Sequence, residues 1–135
     1  MRKIVLGLAL VVVLGVIAAP ATAHETCASN ANKPQRLTGT NTVHFSGSID
    51  CRPTNHDSLF VTVYAMRRNG ASTGPFEIVD SRTEFAPSPR AVWAVAINLS
   101  IFNCNKDYRT KIDTGASPGG HGVSGKVSNI LQNTC

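Results

Sequence analysis

The chain is short of charge, of aromatic rings and of helix signals. Of its 135 residues 16% are charged and 6% aromatic, with Trp93 the one tryptophan. No block of like charge is available to wrap nucleic acid or to hold an anionic membrane surface. No CxxC pair occurs, and the Cys spacings of 24, 53 and 31 residues match no zinc signature. There is no G-x-S-x-G elbow, and the eight acidic residues are scattered, which leaves paired-carboxylate catalysis without a seat. Gly120–Val127, GHGVSGKV, has the spacing of a phosphate loop, but Val127 stands where the Mg²⁺-binding hydroxyl belongs. Nothing after residue 23 repeats with a helical period between caps.

What is present begins with an export signal. Arg2 and Lys3 precede an apolar run from Ile4 to Ala19, and Ala21-Thr22-Ala23 places small residues at −3 and −1. This is the layout of a secretory signal peptide over 1–23, cut before His24. A single domain of 24–135 is expected to remain. Removing Arg2 and Lys3 from the thirteen basic residues leaves eleven against eight acids, a net of +3 with His neutral. That balance predicts neither a nucleic-acid partner nor, once the signal is cleaved, a membrane one; it is silent on oligomeric state.

Alternation predicts the fold class. Trp93, Val95, Ile97, Leu99 and Ile101 alternate with Ala94, Ala96, Asn98 and Ser100, the period of a half-buried strand. Val43, Phe45, Ile49 and Cys51 share a face in the same way, as do Leu59, Val61, Val63 and Ala65, and Tyr108, Thr110 and Ile112. Weaker strands are expected over 36–40, 76–85 and 126–131, and a long flexible loop over 114–125, TGASPGGHGVSG. Seven short strands separated by Gly, Pro, Asn and Ser turns predict an all-β, antiparallel, immunoglobulin-like sandwich.

The even Cys count in an exported chain reads as two disulfides. If each strand reverses the last, Cys27 and Cys51 meet at one end and Cys104 and Cys135 at the other. Cys27–Cys51 and Cys104–Cys135 are therefore preferred, with a bridge between Cys51 and Cys104 around a core tryptophan as the rival. Cys104 as a nucleophile lacks a nearby His base. In layout the chain resembles small exported bacterial immunoglobulin-like sandwich proteins of the kind found in actinomycetes. That resemblance implies a secreted domain and carries no activity with it.

Two features offer function. On the strand over 59–66, Phe60, Tyr64 and Met66 line the face opposite Leu59, Val61 and Val63, with Arg67 and Arg68 at its end. Aromatics, Met and Arg are enriched in interfaces, so this stripe predicts a non-enzymatic binding module for a protein or cell-surface polymer. The alternative is copper binding without any other cofactor. Cleavage would expose the α-amine and imidazole of His24, which with His44, His56 or His121 would suit Cu(II). Exported copper-binding sandwiches and lytic polysaccharide monooxygenases are similar in beginning with His. A third reading is a small enzyme inhibitor presenting the 114–125 loop.

Overall fold

Leu59, Val61, Val63 and Ala65 are completely buried while Phe60, Tyr64 and Met66 between them are half-buried. The alternation read from the sequence thus sorts the two faces of one long strand. The computed structural model describes residues 25–132, which hold ten strands and no helix. In chain order these are β1 (Glu25–Thr26), β2 (Ala28–Ala31), β3 (Gln35–Arg36), β4 (Val43–Asp50) and β5 (Ser58–Asn69). There follow β6 (Glu77–Phe85), β7 (Val92–Leu99), β8 (Lys106–Ser117), β9 (Gly120–His121) and β10 (Lys126–Val127).

They form two sheets. In the first, β7 pairs along the whole of β4, while β2 and β3 pair with the two ends of β4. In the second, β8 pairs with β5 and β5 with β6, and β9 and β10 attach to β8. Every pair is antiparallel except β1 with β9, which is parallel. Val43, Phe45, Ile49, Val95 and Ile97 of the first sheet meet Leu59, Val61, Val63, Tyr108 and Ile112 of the second. Burying one such side chain contributes about 1.5–3 kcal/mol. The sheets approach closely at Gly47, where a Cβ would come 2.5 Å from Ile112 Cγ2.

Tyr108, wholly buried near the start of β8, ties the crossing from β7 to its own strand. Its hydroxyl donates to Ile101 O at 2.8 Å and accepts from Asn103 N at 2.7 Å. Burial pushes the phenol up, partly opposed by the Asn103 N–H and the charge of Arg67. Two residues on, Thr110 is equally buried, and its Oγ1 finds no partner among the described residues. A hydroxyl buried without a partner costs about 1–3 kcal/mol. Thr110→Val should therefore raise stability by about 1 kcal/mol, read from urea unfolding. A loss would show that the hydroxyl is satisfied.

Among the described residues β6 pairs only with β5, which makes it an edge strand. Opposite Val61, Val63 and Ala65 it carries Glu84, Arg82 and Asp80, so its inward face is charged. Trp93 Nε1 donates to Glu84 O at 3.1 Å, and Arg82 Nη1 reaches Ala96 O at 3.5 Å. Charges turned inward on an edge block further strand addition.

Several expectations need correction. The strand expected over 36–40 is only Gln35–Arg36, because the chain turns after it, with Gly39 at φ 76°. Ala28–Ala31 pairs with β4, although Ala-Ser-Asn-Ala carries no apolar alternation. The 114–125 segment is not one long loop: β8 runs through Ser117 and Gly120–His121 is β9, leaving a turn at 118–119 and a short connection over 122–125. Thr114 N donates to Val123 O at 2.8 Å, and Thr114 O lies where a Cβ on Gly122 would fall, 2.1 Å away. Cys27–Cys51 is bridged, with Cα atoms 4.4 Å apart, as expected. One of the two expected disulfides is thus described. No described cysteine is a free thiol, and the expected Cys104–Cys135 bridge has its far end outside the described residues.

Candidate functional site

The outer face of the second sheet is built row by row from cross-strand register, because directly paired residues share a face. Phe85, Phe60 and Gly115 form the first row. A Cβ on Gly115 would sit 2.2 Å from Phe60 Cε1, so the Phe60 ring lies flat over that glycine. On its other side Phe85 is 5.6 Å away between centroids. The second row is Thr83, Thr62 and Asp113, with the two threonine hydroxyls 2.7 Å apart. The third is Ser81, Tyr64 and Lys111, with Lys111 Nζ 5.0 Å from the Tyr64 ring centre.

Ile78, Met66 and Arg109 form the fourth row and Arg68 with Asp107 the fifth. A bulge between Ala65 and Met66 keeps Ile78 on this face. The Arg68 and Arg109 guanidinium carbons lie 4.5 and 4.9 Å from the Phe76 ring centre. Arg68 also pairs with Asp107 at 3.3 Å. Arg67 belongs to the inward set and turns to Glu77 at 3.4 Å. A cleft of about 330 Å³ opens at this end, lined by Arg67, Arg68, Lys106 and Glu77.

The face therefore alternates apolar and cationic patches. Phe85 is 64% exposed and Ile78 51%, both high for large apolar side chains. The Asp113 carboxylate on this face is occupied by hydroxyl and amide donors. Tyr64 Oη donates to Asp113 Oδ2 at 2.7 Å, and Gly125 N donates to Oδ1 at 2.7 Å. Burial pushes the Asp113 carboxyl up, but these hydrogen bonds and the Lys111 charge outweigh it and hold it below the usual range. The same bond pushes the Tyr64 phenol up. A depressed carboxyl stabilises the fold above its unfolded pKa of about 3.9, and that share is lost as pH falls through the folded value. Asp113→Asn should be less stable than the parent at pH 7, with the gap closing below about pH 4 in thermal melts. A gap independent of pH would show that the carboxylate charge plays no part.

Of the stripe singled out from the sequence, Phe60, Tyr64, Met66 and Arg68 share this face, whereas Arg67 points to the other. Phe85, Ile78, Phe76, Arg109 and Lys111 were missed as site residues. The alternation of Tyr108, Thr110 and Ile112 already sets Arg109 and Lys111 outward, but only register shows that they stand beside Met66 and Tyr64.

His56 packs against Gly120, the chain neighbour of His121, while His44 stands apart on the first sheet. His24 lies outside the described residues. His56 is buried, with Nδ1 2.8 Å from Pro118 O, while His121 is exposed on β9. His44 sits on the first sheet, 2.7 Å from Asn98 Oδ1. No helix among the described residues is long and apolar enough to cross a membrane. No family model, curated protein or solved structure matches the chain.

Proposed function

We propose that the chain is a secreted, non-enzymatic binding module. It is an immunoglobulin-like sandwich whose second sheet docks a protein carrying acidic residues around an apolar spot. The observation that carries this reading is the row of exposed Phe85 and Ile78 beside Phe60, Tyr64 and Met66, interleaved with Arg109 and Lys111. Apolar anchors set among cations match the composition of interface centres, and the cations supply complementarity to an acidic partner.

The architecture supports the immunoglobulin-like part of the reading. Strands β2, β3, β4 and β7 make one sheet, and β1, β9, β10, β8, β5 and β6 the other. A tyrosine at the head of β8 that bonds back to the preceding crossing is a feature of such sandwiches. Pairing β6 with β5, not with β7, departs from the constant-type order and widens the docking sheet. The buried Cys27–Cys51 bridge suits an oxidising compartment.

The test places a photo-crosslinking phenylalanine analogue at position 85, and at Val92, an exposed residue of β7, as control. The secreted chain should trap one discrete protein from position 85 and none from Val92. Ile78→Ser, with the analogue kept at position 85, should weaken capture at least tenfold while the melting temperature holds. Equal trapping from both positions, or capture that survives Ile78→Ser, would sink the reading.

A further inference from the structure

The cleft at the Arg68 end of the second sheet is shaped by the hairpin that joins β5 to β6. Arg67 and Arg68 are adjacent on β5 and leave it on opposite faces, yet both line the cleft. Lys106, the first residue of β8, pairs with Asn69 and closes one side. Glu77, the first residue of β6, pairs with Arg67 and closes another. Ser72, Gly74 and Pro75 of the connection complete the lining, in which Pro75 is the one apolar side chain among the described residues. Most ligand clefts are lined by apolar and aromatic groups, so this one suits a hydrated, polar ligand.

The connection is fastened in place. Gly70 N donates to Asn105 O at 2.7 Å, Gly74 N to Ser72 Oγ at 2.9 Å, and Arg68 Nη1 to Gly74 O at 3.2 Å. The cationic donors, by contrast, are only partly committed. Lys106 Nζ gives one of its three to Asn69 Oδ1 at 2.5 Å, and Arg67 meets Glu77 through Nε at 3.4 Å. Arg68 uses Nε on Asp107 and Nη1 on Gly74 O. Among the described residues this leaves the Nη1 and Nη2 fork of Arg67, Arg68 Nη2 and two Lys106 donors to offer, and a fork of this kind matches a carboxylate.

Charge narrows the ligand further. The lining carries three cations and one carboxylate, and Asp107 stands behind Arg68 at 3.3 Å, so one positive charge is left over. A single carboxylate cancels it, a phosphate dianion overshoots it, and a zwitterionic amino acid leaves it standing. Glu77 is exposed and engages Arg67 through Oε1, which leaves Oε2 to accept from a hydroxyl. The geometry points to a second binding site in this cleft, for a uronic acid: a sugar ring that bears one carboxylate. The carboxylate lies on the Arg67 fork and Lys106, while ring hydroxyls bond to Glu77 and Asn69. This site does not rest on the docking of a protein by the aromatic rows.

The test follows backbone amide shifts of the isotope-labelled secreted chain by NMR during titration with glucuronate. Glucose, acetate and glucose-6-phosphate are the comparisons. Glucuronate should move the amides of Asn69, Gly74 and Lys106 along one saturable curve, and each comparison should bind more weakly. Lys106→Gln should weaken glucuronate about tenfold, the loss of one charge-assisted hydrogen bond, with the melting temperature unchanged. Glu77→Gln adds one positive charge and should turn the preference from glucuronate to glucose-6-phosphate. Shifts that scatter over the surface or fail to saturate overturn the proposal, as does glucose or acetate binding as tightly as glucuronate. Affinity indifferent to Lys106→Gln, or a preference unchanged in Glu77→Gln, overturns it equally.

Discussion

Replacing Cys27 and Cys51 together by alanine should lower the unfolding free energy by about 3.5 kcal/mol, from the chain entropy released when a loop of this length is opened. The bridge spans a sequence separation of 24 and closes β2, β3 and β4 into one ring. Apart from the bridge, β2 is held by its ladder to β4 and by polar contacts, with no large apolar side chain of its own. Ala28–Ala31 offers small side chains, and Ser29 is its buried residue, bonded to Thr114 Oγ1 at 2.8 Å. Opening the ring also frees the unfolded chain to expand, so the urea m-value should rise as the midpoint falls. A loss under 1 kcal/mol would mean that hydrogen bonding to β4 alone seats β2.

Tyr108→Phe should cost about 2 kcal/mol, within the range for leaving buried polar groups unpaired. The ring stays, so its edge contact with Phe45 at 6.3 Å and its stack on Phe102 at 6.1 Å are preserved. What goes is one oxygen, and with it the partner of both Ile101 O and Asn103 N. These groups lie on the crossing from the first sheet to the second, so the loss falls on the joint between sheets and spares the packing within either. In a domain of about this size 2 kcal/mol corresponds to a drop in melting temperature of roughly 10 °C. A change below 0.5 kcal/mol would show that water replaces the hydroxyl without penalty.

Much of this fold was legible in the sequence wherever one side chain in two was large. Val43, Phe45 and Ile49, then Leu59, Val61 and Val63, announce both their strands and their buried faces. The legibility ends where pairing depends on backbone. Ala28–Ala31 and Gly120–His121 are strands because β4, β8 and β1 offer partners, and no periodicity in their side chains records it. The glycines over 114–125 suggest slack, yet Gly122 is there because Thr114 O fills the space a side chain would take. The outer face of the second sheet was half legible for a related reason. Alternation assigns a residue to a face, while register decides its neighbours, so Phe60 was visible and its partner Phe85 was not.

The charged inner side of β6 gives this sheet one direction in which it cannot grow. A second copy approaching that edge would have to strip water from Asp80, Arg82 and Glu84, and Trp93 already holds Glu84 O. High local concentration therefore need not turn into polymerisation. On the binding role proposed above, copies packed side by side would each keep the aromatic face for a different molecule, so that many weak engagements act together as one strong one.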